Sequence, residues 1–187
     1  MIMDELIKLA EKIEDKKLRE KTIELLKDPK LTNKLPGHKP LDIKDAPGGY
    51  PGFEHHMVKG GLLKHTEGVT ELSIKIAQFV EKKYGPVNKD AIIAGALLHD
   101  LMRLYDFKKV KDEYAISPVL LGHEQLIGCE LYARNFPEEV ISIAMNHLKA
   151  ESQSLEGMIV HIADTIDSFA DYHFRELDKA IAEALGK

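Results

Sequence analysis

Ala94-Gly95-Ala96-Leu97-Leu98-His99-Asp100-Leu101-Met102-Arg103 is the stretch that decides how this chain is read. A run of small and aliphatic residues without a polar face stops abruptly at a histidine and an aspartate. It reads as a helix buried on most sides that ends in a polar pair. Burying an imidazole and a carboxylate is costly unless something pairs with them. A divalent cation accepts imidazole nitrogen and carboxylate oxygen together. A hydrogen bond from the histidine to its neighbour or to a backbone carbonyl would serve as well, and the pair alone does not choose between them. Successive helix positions lie about 100° apart, so His99 and Asp100 can share an ion only from the rim of a pocket.

Outward from this stretch the chain is a succession of helical periods. The central helix is expected over 90–104, with Asn88 as its N-cap. Before it, Gly60-Gly61 opens a helix that runs to about Tyr84 and carries His65 in its first turns, with Gly85-Pro86 as the stop. Residues 29–53 are rich in turn chemistry (Pro36-Gly37, Pro47-Gly48-Gly49, Pro51-Gly52) and deliver His55 and His56 to that helix start. Residues 4–27 have the period of one amphipathic helix, which packs on the body or on a second copy of the chain. After the central helix, 105–121 is looser and could hold a short ordered turn or a lid. Helices then follow from Gly122-His123 to Asn135, from Pro137 to about Ala150 with His147 near its end, and from Leu155 to Leu185, after a polar turn over 152–155.

In the last helix Met158, Ile159, Ile162, Ile166 and Phe169 are the expected apolar face. His161, Asp164, Asp167 and Asp171 interrupt it at intervals of three or four, on one side of the helix. Asp164 has apolar flanks and needs a cation or donor, whereas Asp171 is expected to be solvated. No segment alternates with period two. The fold class is therefore all-α, a bundle of about six or more helices in one domain over 1–187: an N-terminal helix over 1–28, an irregular connection over 29–53 and a helical core over 54–187.

Composition narrows the function. At 44% hydrophobic and 30% charged, the 187 residues can bury a core and are not disordered. A formal net charge of −5 argues against a general nucleic-acid binder, yet allows a nucleotide substrate because a metal can supply positive charge locally. Cys129 is the only cysteine, which excludes an internal disulfide and a thiolate zinc site. The start lacks a signal-peptide pattern, and no apolar stretch spans a bilayer. The expectation is a cytoplasmic protein without a membrane partner.

His65, then His99-Asp100, then Asp164, each on a different helix, resembles the H…HD…D signature of the HD superfamily of metal-dependent phosphohydrolases. The likeness is greatest to the HD domain of YhaM-type 3′-to-5′ exoribonucleases and spans roughly 53–172. It rests on His55-His56, Gly60-Gly61-Leu62-Leu63-Lys64-His65-Thr66, the run from Ala94 to Asp100, Leu121-Gly122-His123, and His161 with Ala163, Asp164 and Asp167. The chain departs from that pattern at three positions. Arg103 stands where those domains have Lys, Met102 where they have a small residue, and Leu148 where they have a second histidine. There is also no room for the OB-type domain that precedes theirs.

The resemblance implies an all-helical HD domain that cleaves a phosphomonoester or phosphodiester of a nucleotide or short nucleic acid. His65, His99, Asp100 and Asp164 would hold one divalent ion (Mn, Fe, Co, Ni, Zn or Mg). His123 and His147 could complete a second site with Asp100 bridging. Asp100 and Arg103 would be catalytic, and His55, His56, Arg103 and Asp167 would face substrate. Partners would be a nucleotide or other phosphate-ester small molecule, or a short single-stranded RNA or DNA, with a homodimer open. The alternative is a non-catalytic nucleotide-binding or signalling module. As an enzyme, the chain should lose turnover on Asp100→Ala with its fold intact.

Overall fold

In the computed structural model, which describes residues 2–34, 37, 39–50, 52–111, 113–149 and 154–185, the amino-terminal segment is two helices instead of one. α1 spans Ile2–Ala10 and α2 spans Lys16–Lys27. The helix expected over 4–27 breaks because Asp15 caps α2 by accepting the Leu18 N–H at 2.7 Å. Asp90, distant in sequence, accepts the Glu14 and Asp15 N–H groups at 2.8 Å each. Ile13, inside the break, is fully buried, so the apolar spacing runs on through a non-helical link.

The connection that follows is irregular, as its turn residues require, and it wraps over the body. Leu41 N–H donates to Leu104 O at 2.9 Å, and Leu62 N–H to Ala46 O at 3.1 Å. Pro36 and Pro51, two of the expected turn residues, lie outside the described residues. α3 spans Gly61–Lys83 and α4 spans Lys89–Leu98. Asn88 caps α4 by accepting the Ala91 N–H at 3.1 Å. Past Leu98 the expected continuation to Leu104 tightens into a 3₁₀ turn, Leu101–Tyr105, which carries Arg103 back over Asp100.

Residues 107–116 hold a β-hairpin that the sequence does not announce. β1 (Phe107–Val110) pairs antiparallel with β2 (Glu113–Ile116), Phe107 opposite Ile116 and Val110 opposite Glu113. Only Phe107 of β1 is buried, so no alternation marks it. α5 (His123–Ala133), α6 (Glu138–Asn146) and α7 (Leu155–Ala184) complete the fold. Pro137 stands immediately before α6. α6 ends at Asn146, short of the expected 150, where the Lys149 N–H closes a turn on Asn146 O. The polar turn expected over 152–155 begins outside the described residues, and Ser154 caps α7 by accepting the Gly157 N–H at 3.1 Å.

Every residue from Ala91 to Leu98 is buried, and α4 is the hub, packed against α1, α2, α3, α6 and α7. α7 is rotated from the expected orientation. Its buried face is Gly157, Val160, Asp164 and Ser168, with Ile159 and Ala163, whereas Ile162, Ile166 and Phe169 are 41–59% exposed. The rotation turns Asp164 and Asp167 toward His65 of α3. The chain is thus predominantly α-helical; among the described residues there is one small hairpin, and no helix is long and apolar enough to cross a membrane.

Candidate metal centre

Helix ends, with the first turns of α3 and the middle of α7, bring six imidazole and carboxylate side chains together. α3 begins after Gly60, whose φ of 72° lets the chain turn sharply into the helix, and presents His65 about one turn in. His99 and Asp100 follow the last turn of α4. His123 opens α5, His147 follows α6, and Asp164 stands on α7. All six are buried.

Their ring orientations share a pattern. His99 Nδ1 donates to Ala96 O at 2.7 Å and His147 Nδ1 to Ala144 O at 2.8 Å, each reaching back one helical turn. His65 Nδ1 bonds Asp167 Oδ2 at 2.8 Å, and His123 Nδ1 bonds Asp106 Oδ2 at 2.7 Å. With Nδ1 engaged outward, all four Nε2 atoms face inward. His65 Nε2 lies 3.1 Å from Asp164 Oδ1, 3.3 Å from His99 Nε2 and 3.5 Å from Asp100 Oδ2. His123 Nε2 and His147 Nε2 lie 3.1 Å and 3.3 Å from Asp100 Oδ1. Ligand atoms lie within 4.8 Å of one another in the sets His65–His99–Asp100, His99–His147–Asp164 and Asp100–His123–His147.

This arrangement fits a cation and fits poorly without one. A neutral imidazole that donates from Nδ1 carries a bare lone pair on Nε2. His147 Nε2 is buried with no hydrogen-bond partner and faces a carboxylate oxygen, lone pair against lone pair. Such an orphan is costly unless a cation takes it. The outward carboxylates and carbonyls are the second contacts that orient metal-ligating histidines.

Electrostatics divide the histidines. Burial pushes His99 down to about 4, so it stays neutral and ligand-ready. Burial also disfavours a charged His65, but hydrogen bonds to Asp164 and Asp167 outweigh it and lift the ring to about 10. His123 is opposed by burial and by Arg103, yet Asp100 and Asp106 raise it to about 9. Asp100 would be raised by burial, but Arg103, His99 and His123 hold it well below the usual carboxylate range. Asp164 is held low chiefly by His65 in the same way.

The remaining expected site residues divide. Arg103 forks onto Asp100, Nε to Oδ2 at 2.8 Å and Nη2 to Oδ1 at 3.1 Å, and also lines the cleft beside the cluster. His55 is buried, lines the same cleft and is pushed down to about 4 by burial, His65 and Arg103. His56 instead turns toward Asp167 and Asp171, at 3.7 Å from each, and Asp167 faces His65. Asp171 is not merely solvated, since it accepts the His56 N–H at 2.5 Å and supports a backbone held at φ 48°. Leu148 lines the cleft and takes no place among the ligands. Asp106, which orients His123, had no signal in the sequence, because it sits in a segment with no helical period.

A family model of the HD domain matches residues 62–168. The chain belongs to the HD domain family. HD domains bind divalent metals, and this one is a metal-dependent phosphohydrolase. It is 43% identical over 175 residues to a dihydroneopterin 2′,3′-cyclic phosphate phosphodiesterase from Methanocaldococcus jannaschii, covering 89% of this chain and 69% of that protein. The 3′-5′ exoribonucleases YhaM of Geobacillus sp. and Bacillus subtilis are each 28% identical over 141 residues. That match covers 67% of this chain and 42% and 44% of theirs. No solved structure matches the HD domain described here.

Proposed function

We propose that this HD domain opens a cyclic phosphodiester carried by a small nucleotide-like molecule, giving a phosphomonoester. The observation that carries the chemistry is the inward convergence of four imidazole Nε2 atoms on Asp100 and Asp164, with His147 Nε2 orphaned. The substrate class is supported by the 43% identity to the cyclic phosphate phosphodiesterase.

His65, His99, Asp100 and Asp164 would hold one divalent ion, and His123 and His147 would complete a second site with Asp100 shared. Imidazole and carboxylate without thiolate suit Mn, Fe, Co, Ni, Zn or Mg. A divalent ion there supplies charge to the phosphate oxygens and acidifies the attacking water. Arg103 and His55, on the wall between cluster and cleft, offer N–H donors to the phosphate. Asp167 and Asp106 position His65 and His123, and Asp171 positions His56. In the net reaction water oxygen bonds to phosphorus, one ester P–O bond breaks, and the proton lost by water goes to the departing oxygen.

The test is a ³¹P NMR panel with metal-loaded protein. Substrates are dihydroneopterin and nucleoside 2′,3′-cyclic phosphates, 3′,5′-cyclic nucleotides, mononucleotides and short RNA. Asp164→Asn runs alongside as the isosteric ligand loss. Ring-opening of 2′,3′-cyclic phosphates, lost in Asp164→Asn, is the expected result. Turnover confined to other esters, or undiminished in the variant, would overturn the reading.

A further inference from the structure

The cleft that opens on the cluster has a second end whose chemistry differs from the first. The cleft measures about 190 Å³. Its inner wall is Arg103, Asp164 and His55, the phosphate end. Its outer wall carries Tyr50, Phe53 and Phe169, with Thr165, Ser168 and His161 along the floor. A larger cleft of about 340 Å³ on the other side of Tyr50 reaches Asp106 but none of the six ligands.

The outer wall is an aromatic concentration in an aromatic-poor chain. The protein has no tryptophan, six phenylalanines and six tyrosines, and four of these meet here. The Phe53 ring lies 5.0 Å from Phe169, 5.6 Å from Tyr172 and 6.2 Å from Tyr50, centroid to centroid. Tyr50 and Phe169 remain 49% and 59% exposed. Large rings left open beside a deep polar site are a surface for a flat partner. A cleft below the roughly 300–1,000 Å³ of drug-sized sites has room for one ring system and not for a run of bases.

The floor is polarised. His161 donates Nδ1–H to His147 O at 2.6 Å, leaving its Nε2 an acceptor. Thr165 donates its hydroxyl to His161 O at 2.8 Å, and Ser168 directs its own toward Asp164 Oδ1 at 3.4 Å. All three spend a proton on these contacts and keep acceptor lone pairs, and all three line the cleft.

We propose that this cleft seats the heteroaromatic ring of the substrate. Phe53, Phe169 and Tyr50 would stack on the ring, while His161, Thr165 and Ser168 accept from an N–H-rich edge such as the 2-amino-4-oxo-pyrimidine edge common to guanine and pterin. The inference rests on the cyclic phosphodiesterase reading and adds which part of the substrate selects it. It also gives the carboxy-terminal end of the irregular connection a purpose: it brings Tyr50 and Phe53 to the cleft.

The test separates ring recognition from phosphate chemistry. kcat/KM is measured for guanosine, inosine and dihydroneopterin 2′,3′-cyclic phosphates and for ringless glycerol 1,2-cyclic phosphate, in the wild type and in Phe169→Ala and Phe169→Tyr. Phe169→Ala should lower the ratio of guanosine and dihydroneopterin substrates to the ringless one by about tenfold, in line with base–aromatic stacking. Phe169→Tyr should retain the ratio. Guanosine should exceed inosine by about threefold or more, the value of one neutral hydrogen bond. In parallel, saturation-transfer NMR with neopterin and guanosine, which carry no phosphate, should show ring contact with wild type that Phe169→Ala loses. A ratio unmoved in Phe169→Ala, or equal guanosine and inosine rates, would overturn the proposal. If no cyclic ester turns over at all, the phosphodiesterase reading fails. The neopterin and guanosine spectra then still decide the cleft.

Discussion

Asp100→Ala, the obvious inactivating substitution, should also destabilise the metal-free protein, and the reason lies in Arg103. Asp100 is 1% exposed and Arg103 5%, and the guanidinium takes both carboxylate oxygens at 2.8 Å and 3.1 Å. Deleting the carboxylate leaves a buried cation without its partner, a change that costs about 3–5 kcal/mol in comparable buried pairs. Asp106 and Asp164 also act on Arg103 and hold the loss to the lower end, about 3 kcal/mol. Asp100→Ala with Arg103→Met removes both charges and should recover about 2 kcal/mol of that loss, a coupling typical of residues in direct contact. The chain has no tryptophan, so the assay is urea unfolding followed by circular dichroism, in chelator, on the four members of the cycle. A double variant no more stable than Asp100→Ala would refute the reasoning. The expectation that Asp100→Ala leaves the fold untouched is therefore replaced, and Asp164→Asn becomes the cleaner loss of a ligand.

Four further outcomes follow from the packing and charges. An added Cβ at Gly68 would lie 2.2 Å from Asp167 Oδ1, so Gly68→Ala should push Asp167 off His65 and weaken metal affinity by about 10–100-fold in chelator competition, without loss of helix content. Gly95→Ala places a Cβ 2.4 Å from Ile143 Cγ2 and 2.9 Å from its branched Cβ; unfolding should show a loss of about 1–3 kcal/mol, relieved only in part by Ile143→Ala, which keeps that Cβ. The stability of the metal-free protein should peak near pH 6.5 in thermal melts at fixed ionic strength. His99 and His55, depressed to about 4, are neutral in both states above 6.5 and cost stability as pH falls toward 4. His65 and His123, raised to about 10 and 9, stabilise fully below 6.5 and lose that contribution as pH rises toward those values. Metal must displace protons from His65 and His123, so its affinity should rise from pH 6.5 to 9.

The sequence disclosed what depends on local pattern. The apolar run ending at His99-Asp100 is buried throughout because it has no polar face to expose, and Asn88 caps it as its position suggests. His65, His99-Asp100 and Asp164, expected from spacing and resemblance on three different helices, lie together in the buried cluster. What was illegible depends on partners far along the chain. Asp90 breaks the first helix from 75 residues away, and nothing near Ile13 records it. Hydrophobic spacing put Ile162, Ile166 and Phe169 inward, but His65 on α3 draws Asp164 and Asp167 in and turns that face outward. Asp106 gave no signal, and Asp171, expected to be solvated, found its partner only once His56 had a position. The hairpin over 107–116 escaped because a strand with one buried residue has no alternation to detect.

The buried histidine–aspartate cluster is proposed to turn over a cyclic phosphodiester only when it holds metal. The most direct measurement strips the protein with chelator, restores a single divalent metal in steps, and follows both bound metal per chain and opening of a 2′,3′-cyclic phosphate. No turnover is expected in the stripped protein, and the rate should rise with occupancy. Turnover that persists at full strength after stripping, with no metal bound, would contradict it.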